Sequence, residues 1–408
     1  MRHGYRIMDI DRHVLEPVDM WCEYLPAAMR AFAPRLEPFR SCHHGQRAKR
    51  PPPGEHPPPT PPVLCVAGVP IMRDLDETGY SLLGQIAVDR SEVLAAAATA
   101  RGHLDQMDAS GVDVAVMQPT YAWYLVYDDA IDAARSRSYA DAYNRWLVDF
   151  CAPAPARLLR PAIVSRQDPD AMVGDLECAI RSGARAVALR PNPVQGRTLG
   201  HPAHARFWAA CAYHAIPVLI HEGVNGRVST TGADRFTTRF AQHACSHPME
   251  AMMALLSLIE GGVLEANPAL RVALLEAGCG WLPYWLWRLD QEYRQLRAEL
   301  PDLRQPPSAY FRQQCWVTIE PSEAMLERLV TEIGPRQLVF GTDFPHLDHD
   351  DGIVEDMLHK RTVLDEAALT AILWTSPCEL MGIAAQDVPV EDAAAPRTAP
   401  RPAASQAG

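Results

Sequence analysis

Eight short apolar segments recur along the chain, and this pattern constrains the fold more than any other feature of the sequence. Most of them are rich in β-branched residues and bounded by Gly or Pro. Stretches with helical character, such as SYADAYNRWLVDFCA and EAMMALLSLIEGG, separate them. The pattern predicts strands that are buried on both faces of a parallel sheet. The eight segments are 5–13, 112–120, 158–165, 184–191, 216–223, 270–278, 315–321 and 337–346.

Eight strands that alternate with helices favour an α/β fold of one type, a (β/α)8 barrel, over residues 1–386. A chain of 408 residues suits one such domain better than two separate ones. The alternative is a doubly wound open sheet. It is less favoured because no GxGxxG motif follows the first predicted strand.

Two segments are predicted to lie outside the barrel. Residues 38–62 include PPPGEHPPPTPP, which is incompatible with a helix or an inner strand because proline lacks the N–H that both require. We expect an exposed, extended, Pro-rich insertion there. The segment 387–408 is rich in Ala, Pro and acidic residues, and we expect a disordered tail.

Charge and composition argue against several classes of function. The formal net charge is −12, whereas phosphate binding needs clustered Lys and Arg. No apolar run has the length of a membrane span, and no apolar segment typical of a signal peptide follows the first residues. The ten cysteines form no CxxC pair. We therefore expect a cytoplasmic protein with mostly reduced thiols that binds neither nucleic acid nor membranes.

Polar residues collect at the carboxyl ends of the predicted strands, where the catalytic groups of such barrels lie. Asp11 and His13 end the first strand and point the same way, because alternate residues of a strand share a face. His221 ends the fifth strand, and Asp343 ends the eighth, which closes beside the first. Two imidazoles and two carboxylates suit Zn²⁺, Mn²⁺ or Fe²⁺ and leave coordination positions open. The sequence thus predicts one divalent metal ion, with zinc preferred.

Seven long stretches carry a specific family resemblance: IDRHVLEPVDMW, LDQMDASGVDVAVMQPT, YNRWLVDFCAPAPARLLRPA, GARAVALRPNP, IPVLIHEG, GGVLEANPALRVALLEAGCGWLPYWLWRLD and FGTDFPH. Through them, residues 5–382 resemble the amidohydrolase-2 family of the amidohydrolase superfamily, which includes aminocarboxymuconate-semialdehyde decarboxylase-like enzymes. The resemblance implies that Asp11 and His13 are the first-strand metal ligands and His221 the fifth-strand ligand. It also implies that Asp343 both binds the metal and moves protons.

The chain departs from the decarboxylases of that family at two positions that bear on function. Those enzymes carry His-x-His or Glu-x-His on the first strand, whereas this chain has Asp11-Arg12-His13. They also place a His at the end of the sixth strand, where this chain has Glu276. The loss of that imidazole argues against standard aromatic decarboxylation and favours hydrolysis.

Further residues are candidates for the site, each with a structural alternative. Arg190 could pair with a substrate carboxylate or form an ion pair within the barrel. Glu16 could bind substrate, reach the metal, accept a hydrogen bond from a ligand histidine or cap the following helix. Trp281 follows Glu276 closely enough to touch a substrate, although core packing is its alternative. His346 could act on the substrate, whereas a capping or packing role is preferred for His247.

The preferred function is a metal-dependent hydrolase of a small organic substrate, acting on an amide, ester or carbon–carbon bond through a metal-activated water. Asp343 would accept the water proton, and Glu276 or His346 would protonate the leaving group. The first alternative is a non-oxidative decarboxylase of an aromatic or enoic acid, and the second is a non-catalytic barrel that binds a small molecule. The family resemblance and the aromatic stretch LPYWLWRL also predict a homodimer.

Overall fold

A computed structural model describes residues 2–38, 62–72, 89–223, 226–346 and 352–386. The interior of the Pro-rich insertion, 39–61, lies outside the described residues, and so does the predicted tail, 387–408. Both expectations therefore remain predictions.

All eight apolar segments form strands, and these strands build a parallel barrel. The third segment, 158–165, is divided into two short strands that pair with different neighbours. The predicted (β/α)8 fold is confirmed. The strands are β1 Met8–His13, β2 Arg35–Glu37, β3 Val63–Val66, β4 Val69–Pro70, β5 Val114–Gln118, β6 Leu158–Leu159, β7 Pro161–Ile163, β8 Ala186–Leu189, β9 Val218–His221, β10 Val272–Leu275, β11 Cys315–Ile319 and β12 Leu338–Phe340.

Helices follow most barrel strands and cover the sheet from outside. Short 3-10 turns and one π-helical turn, Ala371–Thr375, supplement them. In the described ranges, no helix is long and apolar enough to cross a membrane. The helices are α1 Met20–Tyr24, α2 Ser91–Ala97, α3 Ala100–Ser110, α4 Ala122–Val126, α5 Ala133–Cys151, α6 Met172–Arg181, α7 Ala205–Tyr213, α8 Arg239–Glu260, α9 Val263–Ala266, α10 Leu282–Gln295, α11 Pro307–Gln314, α12 Leu326–Ile333, α13 Ile353–His359, α14 Glu366–Thr370 and α15 Ser376–Met381.

The barrel strands pair in the order β1, β5, β6 on one side and β7, β8, β9, β10, β11, β12 on the other. The ring closes where Arg12 bridges to Phe344 in parallel and His13 N donates to Phe344 O at 2.7 Å. Gly341 makes this closure possible, because a Cβ at that position would lie 2.5 Å from the Cβ of Asp11.

A β-bulge in β1 decides which of its side chains enter the barrel. Four residues, from Asp9 to Arg12, match only three on β5, from Ala115 to Met117. An extra residue reverses the alternation of side chains along a strand. Asp9 and Arg12 consequently share one face and contact each other at 3.5 Å.

Asp9 and Arg12 form the centre of a buried polar network beside the closure. Asp9 Oδ2 accepts from Thr342 Oγ1 at 2.6 Å, which ties β1 to the end of β12. Arg12 Nε donates to His103 Nδ1 at 3.0 Å and Nη2 donates to Gln106 Oε1 at 2.6 Å on α3. Burial raises the pKa of Asp9 to about 6, although the Arg12 charge opposes that shift.

A small antiparallel sheet, β2–β3–β4, flanks the Pro-rich insertion. Leu36 pairs with Leu64, and Val66 pairs with Val69. No pattern in the sequence predicted this sheet. It matters for function because Leu36, Val63 and Leu64 line a cavity of about 540 Å³ at the mouth of the barrel.

The aromatic stretch LPYWLWRL lies on α10 and divides between core and surface. Leu282 and Leu286 are buried, whereas Tyr284 and Trp287 are 59% and 54% exposed. Exposed aromatic side chains of this kind are compatible with an interface. The homodimer remains a prediction.

Replacing Arg12 tests the network at the closure. Arg12→Leu leaves the Asp9 carboxylate buried without its cation, and breaking a buried ion pair in this way typically costs about 3–5 kcal/mol. We expect the urea midpoint of unfolding to fall clearly. The matched control is Arg101→Leu, which removes an exposed pair with Asp105 and should leave the midpoint unchanged. Equal midpoints for the two variants would contradict the importance of the network.

Candidate metal centre

Three donor atoms converge at the carboxyl end of the barrel. His13 Nε2 lies 3.0 Å from His221 Nε2. Asp11 Oδ1 lies 3.3 Å from His13 Nε2 and 3.4 Å from His221 Nε2. Ligand atoms bonded to one metal ion at about 2.0–2.1 Å are roughly 3.0–3.4 Å apart. The three side chains thus have the mutual spacing of metal ligands.

A hydrogen bond at the Nδ1 atom of each imidazole fixes the orientation of the ring. His13 Nδ1 lies 2.8 Å from the carbonyl of Pro119, and His221 Nδ1 lies 2.5 Å from the carbonyl of Glu222. A carbonyl only accepts, so both Nδ1 atoms donate. In the neutral rings, both Nε2 atoms then present lone pairs to each other and to Asp11. Such an arrangement is unfavourable unless a proton or a metal cation lies between these atoms.

The pKa shifts of His221 and Asp11 also indicate a place for positive charge. Burial would lower the pKa of His221, but Asp11 and then Glu276 raise it well above its ordinary value. Burial would raise the pKa of Asp11, but the His221 charge lowers it below its usual range. Within the described part of the chain, Asp11 Oδ1 has no hydrogen-bond partner although it is buried. A divalent ion fits this donor set and would replace the proton on His221.

Asp343, the fourth predicted ligand, lies beside His13. Its Oδ1 is 3.4 Å from His13 Nε2 and 2.8 Å from His346 Nδ1. Asp343 has a positive φ of 50°, which is uncommon for a non-glycine residue. Its amide donates to Asp11 O at 2.8 Å, and this bond holds the turn. The structure brings all four predicted ligands together, and we call Asp11, His13, His221 and Asp343 the primary site.

Glu276 also reaches the primary site. Its Oε2 lies 2.9 Å from His221 Nε2. Like Asp343 it has a positive φ, here 48°, and its amide donates to Thr318 Oγ1 at 2.9 Å. Burial, and then the Asp343 charge, raise the pKa of Glu276 to about 7. Glu276 therefore lies in direct contact with one of the predicted metal ligands.

A cavity of about 540 Å³ opens onto the primary site. His221, Glu276 and His346 form its floor, and Arg90 and Arg239 also line it. Trp123 stacks on His221 with ring centroids 5.9 Å apart and planes at 18°. Most of the remaining wall is apolar, from Leu15, Val18, Leu64, Ile71, Met72 and Leu94.

The predicted substrate-binding residues lie in three different places. Glu16 lines the cavity, but its carboxylate accepts from the amides of Tyr121 and Ala122, both at 2.9 Å, at the start of α4. Arg190 donates to Glu222 Oε1 at 2.5 Å, which is the structural ion pair of the alternative interpretation. Trp281 is not among the described residues that line the cavity, and its indole N–H donates to Gly278 O at 2.9 Å.

The structure adds residues that the sequence analysis missed or placed elsewhere. His247, for which packing was preferred, lines the cavity, and its Nε2 lies 3.5 Å from Glu276 Oε1. His243, Trp123 and Arg239 were not singled out and also line the cavity. The four-residue spacing of His243 and His247 in a helical segment was the available signal.

Comparisons with known proteins add information on the family and the fold of the chain. The profile of a family described as Amidohydrolase matches residues 18–383. A gamma-resorcylate decarboxylase from Rhizobium radiobacter is 27% identical over 273 residues, which cover 60% of this chain and 77% of the relative.

Two solved structures have the same fold. An amidohydrolase from Mycobacterium avium subsp. paratuberculosis K-10 matches with a TM-score of 0.72 at 19% identity, over 93% of this chain and 100% of its own. A 5-carboxyvanillate decarboxylase from Novosphingobium aromaticivorans, with bound manganese, matches with a TM-score of 0.66 at 18% identity, over 94% and 98% of the two chains. At these identities the likeness concerns the fold alone.

Removal of one imidazole tests the primary site. We expect one tightly held divalent ion per purified chain, and His221→Ala should lose it because His221 provides one of the converging nitrogens. Elemental analysis of purified protein gives the occupancy. His214→Ala, at the opposite end of the barrel before β9, is the matched control and should keep the ion. Full occupancy in His221→Ala would remove that residue from the ligand set.

Proposed function

This chain belongs to the amidohydrolase family, and from that premise we propose that it is a metal-dependent, non-oxidative decarboxylase of an aromatic acid. One observation carries the proposal: a cavity of about 540 Å³, whose wall is mainly apolar and aromatic, reaches the primary site at His221. Such a cavity suits a ring, and the site at its floor suits a carboxylate. The similarity to a gamma-resorcylate decarboxylase supports the same reaction class.

The substrate would bind with its carboxylate toward the primary site and its ring in the cavity. When bound, the divalent ion supplies positive charge for the carboxylate and a neighbouring oxygen. The donor set of two imidazoles and two carboxylates suits zinc first and manganese second. Trp123 and Tyr124 offer flat surfaces for the ring, and the apolar wall keeps water away from it.

A chain of hydrogen-bonding groups connects the cavity with Asp343. Thr120 Oγ1 lies 2.9 Å from His346 Nε2, and His346 Nδ1 lies 2.8 Å from Asp343 Oδ1. Thr120 and His346 both line the cavity. His346 can therefore pass a proton from the cavity to the Asp343 carboxylate, which is the assigned proton donor.

The proposed reaction consumes one proton and no oxidant. Asp343 delivers its proton to the ring carbon that bears the carboxylate, and a new C–H bond forms. The bond from that carbon to the carboxylate then breaks, its electron pair returns to the ring, and neutral CO2 leaves. His346 returns a proton to Asp343 for the next turnover.

Hydrolysis, the function preferred from the sequence, is the second candidate. The observation that favours it is Glu276, whose carboxylate lies 2.9 Å from His221 Nε2 and whose pKa is raised to about 7 by burial. A group that titrates near neutral pH can both accept a proton from water and protonate a leaving group. CO2 release distinguishes the two reactions, because hydrolysis of an amide or ester produces none.

The Asp343→Asn variant tests the proton assignment. The amide keeps one oxygen near the primary site but cannot deliver a proton, so the metal should stay while turnover fails. A general acid or base contributes about 10²–10⁴-fold, and we expect a loss at least that large. The measurement is CO2 release from a panel of hydroxybenzoic acids at matched metal content.

Two further variants are compared with Asp343→Asn. Asp356→Asn, exposed on α13, should keep wild-type turnover. Glu276→Gln should lose less than Asp343→Asn, because the carboxylate of Glu276 has no assigned step in decarboxylation. Near-wild-type turnover in Asp343→Asn would move the proton chemistry to His346 or Glu276.

A further inference from the structure

Helix α8 brings two histidines to the cavity wall that the proposed decarboxylation does not use. His243 and His247 are one turn apart, and the four-residue spacing puts them on one face of the helix. Their ring centroids are 4.7 Å apart, with planes at 53°. Both side chains line the same cavity as the primary site.

Glu276 lies between this histidine pair and the primary site. Its Oε2 is 2.9 Å from His221 Nε2, while its Oε1 is 3.5 Å from His247 Nε2. Each oxygen of one carboxylate thus faces a different imidazole. A carboxylate in this position can serve two neighbouring cations at once.

A serine fixes which nitrogen of His247 faces Glu276. Ser246 Oγ donates its single hydrogen to His243 O at 3.3 Å and lies 3.0 Å from His247 Nδ1. With its hydrogen used, the hydroxyl accepts from Nδ1–H. In the neutral ring, His247 Nε2 then presents a lone pair to the Glu276 carboxylate. Two electron-rich atoms facing each other in a buried setting mark a place for a cation.

We propose that His243, His247 and Glu276 form a second divalent metal site, with the Glu276 carboxylate shared between it and the primary site. One possible ligand atom from each of the three residues lies within 4.8 Å of the others. Two imidazoles and one carboxylate are a donor set of zinc sites that keep an open position. The open position here faces the cavity, where it is available to an oxygen of a bound molecule.

The second site binds more weakly than the primary site. Around one ion the ligand atoms lie roughly 3.0–3.4 Å apart, so the three side chains must close in on binding. His243 is only half-buried, and the shared carboxylate divides its charge between two ions. The second ion therefore enters after the first. This inference does not depend on the reaction that the protein catalyses.

Metal titration of the full chain tests the second site. The protein is stripped with a chelator and dialysed against increasing Zn²⁺ or Co²⁺, and the bound ions per chain are counted by mass spectrometry. We expect a tight first equivalent and a weaker second one. His243→Ala and His247→Ala should each raise the Kd of the second equivalent by about 10–100-fold or more, since even the loss of a residue that supports a ligand has an effect of that size.

Controls separate the two sites. His243→Ala and His247→Ala should keep the first equivalent, and His214→Ala should keep both. Circular dichroism checks the fold, and His243→Ala gives the result if the buried His247 proves necessary for folding. In the Mn²⁺-loaded wild type, electron paramagnetic resonance should show two coupled ions, and this coupling should vanish in both variants. Saturation of the wild type at one ion in millimolar metal would overturn the proposal, as would a second equivalent that both variants retain.

Discussion

Closure of the barrel between β1 and β12 is the contact on which the rest of the structure depends. The carbonyl of Asp11 accepts from the amides of Thr342 and Asp343, and Thr342 in turn donates to the Asp9 carboxylate. These bonds join the residues that precede and follow the closure, so this backbone contact places Asp11 beside Asp343. Gly341 allows the strands to approach because it has no Cβ. The bulge in β1 has a matching role, since it directs Asp9 and Arg12 to one face together.

That placement creates a site that needs positive charge to balance its buried carboxylates. Buried carboxylates and neutral imidazoles are gathered within hydrogen-bonding distance, and burial makes uncompensated negative charge costly. A proton on His221 balances part of this negative charge, which is why Asp11 and Glu276 raise the pKa of His221. A divalent ion does so more fully, because it balances two carboxylates and accepts both nitrogen lone pairs. The left-handed backbone at Glu276 and Asp343, which costs roughly 1–2 kcal/mol per residue, is thus retained where it directs a carboxylate into the primary site.

The sequence predicted the parts of this arrangement that local patterns determine. Strands buried on both faces are continuous apolar runs, and their carboxyl ends are recognisable, so the barrel and the convergence of the four residues of the primary site could be predicted. Features that depend on distant pairing could not. β2 and β3 pair across the Pro-rich insertion, and neither is long enough to show a period. His247 was assigned to packing because the rotation of α8 over the barrel mouth is not visible in its own sequence. Trp281 was expected near the substrate, but its indole N–H bonds back to the turn that precedes α10.

The central claim is that Asp11, His13, His221 and Asp343 hold one divalent ion at the floor of the apolar cavity. Anomalous diffraction from crystals of the protein loaded with one equivalent of Mn²⁺ tests it most directly. The account predicts that the strongest anomalous peak lies within bonding distance of His13 Nε2, His221 Nε2 and an oxygen each from Asp11 and Asp343. A strongest peak that touches neither His221 nor Asp343 would contradict the account.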